Sequence, residues 1–328
     1  MGRIVFFILV LFSGICSVNA TPTIEVVNTL KDYKVFLYEF ENAKGDEQKQ
    51  LAAWENYEKK YEYLFSKDAF DLNRNNDKLE DLKKYFKKLP EIKNKVLELY
   101  PKANQVVLKS AESFSKVFKD FKDSNIVIKV YLISSSKKMN GYATTIEGNP
   151  VVLLGMDGTV MIGQNEKDVE FVFAHELHHI YWGRIKHGDD DKDSFDVALW
   201  FEGFATYASG LVTGFSDDVV LSDSWLAEKC KDPAYVKKLA KKYKNLVTKV
   251  WPKIKKNNDE KESRKIYKYW FGSIGNETKE NPSRSGYCLG LHVVKILASN
   301  NSLDDMVEWK GTELTNKIRL TLDYIIDK

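Results

Sequence analysis

Residues 168–185 read DVEFVFAHELHHIYWGRI, and the fold is decided by how this stretch is read. Its apolar residues recur at helical spacing behind an acidic first turn, the pattern of a buried helix. His175 and His179 stand four residues apart on that helix, one above the other, so their imidazole nitrogens can converge on one tetrahedral ion. Glu176 follows the first of them, placed to act on a water that the ion holds. His178 lies off this stripe and reads as a packed or supporting residue. Three of the chain's five histidines fall within these five positions.

Two helix histidines leave a catalytic metal site short of a ligand, because such sites use three protein ligands and a water. Gly183 and His187 follow His179 by four and eight residues, out of register for a third histidine on the metzincin spacing. Glu202 fits better. It lies in LWFEGFATY, residues 199–207, an apolar and aromatic run where an unpaired carboxylate would be costly and a metal would remove that cost. Residues 195–212 read as its helix, with the acidic run 189–193 as the connecting loop. That run lacks the glycine and final glutamate of a calcium-binding EF-hand and reads as solvated.

Upstream, residues 23–124 are rich in Lys, Glu and Leu, and Trp54, Tyr57, Tyr61 and Leu64 recur at three- and four-residue spacing, the stripe of a packing helix. Pro90 and Pro101 read as breaks or helix starts. Residues 126–133, IVIKVYLI, switch to strand character, and 151–154 form a second apolar run between turn signals at Asn140-Gly141 and Asp157-Gly158. The expected fold is mostly helical α+β, with a small, mainly antiparallel sheet between residues 126 and 162.

The chain carries 50 Lys+Arg against 47 Asp+Glu, with 43% hydrophobic residues. Near-balanced charge on ample apolar material excludes a disordered chain or a fibre, and gives no global nucleic-acid footprint. Residues 237–268 hold 13 Lys/Arg and three acids, interleaved with Trp251, Tyr267, Tyr269 and Trp270. Without a nucleic-acid motif beside it, this window reads as helices with a solvated basic face, and no nucleic-acid partner is expected. Arg3, the apolar residues 4–12 and Val18-Asn19-Ala20 have the order of an export signal. Cleavage after Ala20, giving an exported periplasmic or secreted protein with no transmembrane span, fits better than lipoprotein anchoring at Cys16. Ile15 stands where lipoprotein processing needs a small residue. Cys230 and Cys288 then remain, as one disulfide or as two separate thiols. No Cys-x-x-Cys is present, so any metal is held by His and carboxylate.

His-Glu-Leu-x-His at 175–179, followed by Leu199-Trp200-Phe201-Glu202-Gly203-Phe204-Ala205-Thr206-Tyr207, resembles the gluzincin clan of zinc metallopeptidases. The wording around Glu202 is similar to that of the large zinc aminopeptidases. Tyr287-Cys288-Leu289-Gly290 resembles their Tyr-x-x-Gly segment at the start of a later apolar helix. Size and layout are closer to short bacterial proteins predicted to be zinc proteases. The resemblance covers roughly residues 126–299. It implies a zincin-like domain over 126–328, with a helical C-terminal part, after a signal peptide (1–20) and a helical region (21–125). It further implies one catalytic Zn2+ held by His175, His179 and Glu202, with Glu176 as general base and Tyr287 as transition-state stabiliser. A zinc-bound water would then hydrolyse a peptide or protein substrate.

The chain departs from the aminopeptidases in a gap before Glu202 that is four residues longer. It departs from the thermolysin-like enzymes in having Thr206 where they place an Asp. The best counterpart of the aminopeptidase glycine-rich strand is Gly155-Met156-Asp157-Gly158, and residues 151–156 are the expected edge for an extended peptide. The alternative is a catalytically idle, zinc-stabilised module that binds a peptide or envelope component. Glu176, which pure ligation does not need, argues against it.

Overall fold

Strand β2 (Val127–Ile133) is apolar along most of its length, and its last four residues are buried. It therefore needs a partner on each edge. In the computed structural model, which describes residues 22–65, 78–136, 139–186, 194–272 and 284–328, those partners are β1 (Thr23–Asn28) and β4 (Asn149–Gly155), both parallel to it. Strand β3 (Gly141–Ile146) pairs antiparallel with β4 and closes the order β1-β2-β4-β3. The chain is mostly helical α+β, as the sequence implies, but the sheet is mixed rather than mainly antiparallel.

Three local readings change. Thr23–Asn28, expected to open a helical region, is a strand, because its Ile24, Val26 and Val27 have β2 to pair with. The hairpin between β3 and β4 turns at Glu147 (φ 51°) and Gly148 (φ 80°), the two positive φ values that a tight two-residue turn requires. Asn140-Gly141 instead leads into β3, and Asp157-Gly158 lies inside the short helix Met156–Met161. Pro90 and Pro101 interrupt nothing. Both sit inside one 40-residue helix, Lys78–Val117, where Leu89, Val96, Tyr100, Ala103 and Val107 are fully buried and packing outweighs the lost backbone hydrogen bonds.

That long helix lies against the sheet and against the helix Glu166–Ile180, and the buried residues of all these elements form one continuous core. The helix Phe195–Thr213 is buried on nearly every side and ends at Gly214 in the left-handed conformation. On it pack Glu166–Ile180 from one side and Ser285–Ala298 from another. The C-terminal helix Gly311–Asp327 is tied to it where Arg319 donates to buried Asp196 at 2.8 Å. The basic window forms the helices Pro233–Asn245, Trp251–Lys256 and Glu260–Phe271, with Val236, Leu239, Tyr243, Ile254 and Trp270 inward. Cys230 and Cys288 are joined in a disulfide, with Cα atoms 5.8 Å apart. Among the described residues no helix is long and apolar enough to cross a membrane. Residues 1–20, Cys16, the 189–193 loop and His187 lie outside the described residues.

Asp157 fixes the end of the sheet. Its carboxylate is fully buried and accepts the backbone N–H groups of Ser135, Ser136 and Gly158 at 2.8–2.9 Å. Burial nevertheless pushes it up to about 6 from an ordinary 3.8. A folded-state value above the unfolded one means that the native protein holds a proton the unfolded chain has released between about pH 4 and 6. Stability from this group is therefore greatest below pH 4 and lost as pH rises through 6. Urea unfolding of wild type and Asp157→Asn at pH 4 and pH 7 checks this. The wild-type-minus-variant difference should fall by about 2 kcal/mol across that interval, and parallel curves would contradict it.

Candidate metal centre

The helix Glu166–Ile180 starts at a capping box. The Asn165 side chain accepts the Lys167 N–H, and the Asp168 carboxylate accepts the Asn165 N–H. This fixed start sets the rotation that turns His175 and His179 inward together. Beyond Ile180 the helix widens into the π-helical turn Tyr181–Lys186, an expansion found often beside functional sites.

Glu202 comes from the buried helix Phe195–Thr213, and Tyr287 from Ser285–Ala298. These two helices meet backbone to backbone. A Cβ on Gly203 would lie 2.4 Å from the Gly290 carbonyl carbon, and one on Gly290 would lie 2.6 Å from the Leu199 carbonyl oxygen. Only glycine permits that approach, so the Glu-Gly and Tyr-x-x-Gly pairs have a steric origin. Each glycine sets the depth at which its neighbouring functional side chain enters the cleft.

His175 Nε2 lies 3.2 Å from Glu202 Oε2, and His179 Nε2 lies 3.5 Å from the same oxygen. The ligand atoms of all three residues fall within 4.8 Å of one another. Ligands held at about 2.0–2.2 Å around a tetrahedral zinc are separated by about 3.3–3.5 Å, so this donor set fits zinc in both chemistry and spacing. The second cluster, Cys230, Cys288 and His292, does not fit, because its sulfurs are spent on the disulfide.

The charges around the trio follow from burial. Burial lowers His175 to about 4, which leaves its ring neutral and able to give a lone pair at neutral pH. Burial also opposes the charge on Glu202, but His179 and then His175 outweigh it and hold the carboxyl well below the usual carboxylate range. The Tyr267 hydroxyl donates to Glu202 Oε1 at 3.0 Å, which leaves Oε2 aimed at the histidines. Phe201 stacks on the His179 ring, with centroids 3.9 Å apart. His178 is fully buried and packs between Phe118 and Phe204.

Glu176 is half-buried beside the trio and pushed up to about 7, chiefly by desolvation and against the pull of His179 and of the Ala143 N–H that it accepts. That N–H belongs to β3. A Cβ at Gly141 would meet Val172 Cγ1 at 2.4 Å and Glu176 Cγ at 3.0 Å, so β3 lies directly on the helix that carries Glu176. The sheet edge beside the site is therefore β3. The stretch 151–156, expected as that edge, belongs mainly to β4, which is paired on both sides. The Tyr287 ring stacks on His175 at 5.8 Å, close enough to Glu202 for that carboxylate to help raise its pKa. Burial raises Tyr287 well above the ordinary phenol value, so it remains a donor. Tyr207, the tyrosine on the same helix as Glu202, lies about 140° round that helix from it. A cleft of about 320 Å³ opens beside the trio, lined by Asn140, Gly141, His175, Glu176, Arg284 and Tyr287 together with apolar side chains.

The family model described as a predicted Zn-dependent protease (DUF2268) matches residues 106–315, more than half of the chain. The chain belongs to that family. No curated protein and no solved structure matches it. The match to this predicted Zn-dependent protease family begins within the long helix and takes in every residue of the site, whereas β1 and the first helices precede it.

The glycine contact yields a test. Gly290→Ala should lower the unfolding free energy by about 3 kcal/mol, at the upper end of overpacking costs. It should also weaken zinc binding, by moving Glu202 away from the histidines. Denaturant unfolding and a zinc titration measure the two effects, and a variant unchanged in both would contradict the steric account.

Proposed function

We propose that this chain is an exported, zinc-dependent metallopeptidase of the gluzincin type, holding one catalytic zinc with His175, His179 and Glu202. The observation that carries the reading is the convergence of three donor atoms from two helices within 4.8 Å, with both histidines at tetrahedral-edge distance from the carboxylate. Glu176 stands beside them and a sheet edge faces them. Membership of a predicted Zn-dependent protease family supports the same reaction class. The Cys230–Cys288 disulfide supports export, since such bonds persist in oxidising compartments.

Zinc, when bound, supplies Lewis acidity to a scissile carbonyl and lowers the pKa of a water toward about 7. The chain's own residues do the rest. Glu176 takes a proton from the attacking water and delivers it to the leaving nitrogen, a task suited to a carboxyl whose affinity for protons burial has raised. Tyr287 donates its hydroxyl proton in a hydrogen bond to the carbonyl oxygen as negative charge develops there. Tyr267 holds the Glu202 carboxylate in register. The free edge of β3 can take an extended peptide by strand addition, which would lay the scissile bond over Glu176.

Three substitutions separate these roles. Glu202→Ala should lose zinc readily, whereas Glu176→Gln should keep both zinc and fold and lose peptide hydrolysis. Tyr287→Phe should keep zinc and lose roughly 10²-fold in kcat, the scale of deleting one oxyanion donor. Metal analysis together with cleavage of a peptide library checks all three. Equal cleavage by wild type and Glu176→Gln would overturn the peptidase reading.

A further inference from the structure

The cleft contains one cation to which the reaction above gives no task. Arg284 precedes the helix Ser285–Ala298 in the left-handed conformation, φ 63°. Its guanidinium carbon lies 4.2 Å from the centroid of the Tyr287 ring, and that ring stacks on His175 at 5.8 Å. Stacking fixes the plane of the guanidinium and leaves its N–H fork unspent. Among the described residues no carboxylate pairs with it. The cleft around it combines apolar side chains, among them Met139, Ile162, Phe171 and Phe271, with the polar Asn140 and Glu176. Glu176, which lines the same cleft, feels the Arg284 charge only at longer range, without an ion-pair contact, so the guanidinium fork can still take an anion that arrives with the substrate.

We infer that Arg284 is a specificity-determining residue that binds a substrate carboxylate one or two residues from the scissile bond. The distance follows from the geometry. The guanidinium lies two ring contacts from a metal ligand, and an extended residue spans about 3.3–3.6 Å. The carboxylate can be a free C-terminus or the side chain of Asp or Glu, and both present the planar, bidentate acceptor that a guanidinium fits. The apolar walls take the uncharged part of the same residue or of its neighbour. This inference rests on the peptidase reading.

The test gives zinc-loaded wild type, Arg284→Lys and Arg284→Gln a library of short peptides. Each is made as the free acid and as the C-terminal amide, with Glu or Gln near the cleaved bond. Wild type should prefer the carboxylate-bearing member of each pair by roughly tenfold or more in kcat/KM, the scale of one charge-assisted hydrogen bond. Arg284→Lys should retain part of that preference, and Arg284→Gln should bring the ratio close to one. A preference that follows acid over amide identifies the C-terminal carboxylate; one that follows Glu over Gln within the amides identifies the side chain. Calorimetric binding of the same pairs to Glu176→Gln should reproduce the preference without turnover. Equal wild-type rates within every pair overturn the inference even if neither variant folds. So does a ratio that survives in Arg284→Gln, or an equal loss on both members of a pair, which would place Arg284 among groups acting on the chemistry itself. No cleavage of any peptide by wild type overturns the peptidase reading, and the inference with it.

Discussion

An ionised carboxylate sits at the centre of this protein with almost no access to water. Glu202 is 6% exposed, on a helix whose other residues are nearly all apolar and buried. Such a charge is tolerated only when it is paired and hydrogen-bonded. Its partners come from two other parts of the chain: His175 and His179 from one helix, and Tyr267 from the basic window. The glycine contact between residues 203 and 290 packs the helix that carries Tyr287 directly against the helix that carries Glu202. The packing around the helix Phe195–Thr213 can thus be understood as the structure needed to keep one carboxylate charged.

The same constraint explains the division of labour between the two glutamates. Glu202 faces two imidazoles and is held well below its ordinary range, as a ligand should be. Glu176 is only partly shielded from water, yet desolvation prevails over its partners, and it is pushed up to about 7. Environment shifts two identical side chains in opposite directions, which is the difference that the proposed ligand and base require. Strand β3 contributes to both the geometry and the chemistry, since its backbone touches Glu176 and gives it one N–H.

What could be read from the sequence follows the range of the interactions. The pair His175 and His179 and the neighbouring Glu176 are encoded within five residues by helical spacing, and Glu202 is betrayed by the cost of a carboxylate in an aromatic run. Tyr287 came from motif resemblance. Tyr267 was not legible: nothing local separates it from Tyr269 or Trp270, and its contact with Glu202 spans 65 residues. Strand β1 is only six residues long and owes its state to a partner about a hundred residues away. Pro90 and Pro101 carry strong local signals that long-range packing overrides. The direction of the sheet was missed for the same reason, because a parallel neighbour is defined by a crossover and not by a turn.

The central claim is that His175, His179 and Glu202 hold the zinc. X-ray absorption at the zinc edge of the metal-loaded protein tests it most directly. The account predicts two imidazole nitrogens at about 2.0–2.1 Å, the remaining ligands oxygen, and no sulfur. A sulfur shell at about 2.3 Å, or fewer than two imidazoles, would contradict it and move the metal to other residues.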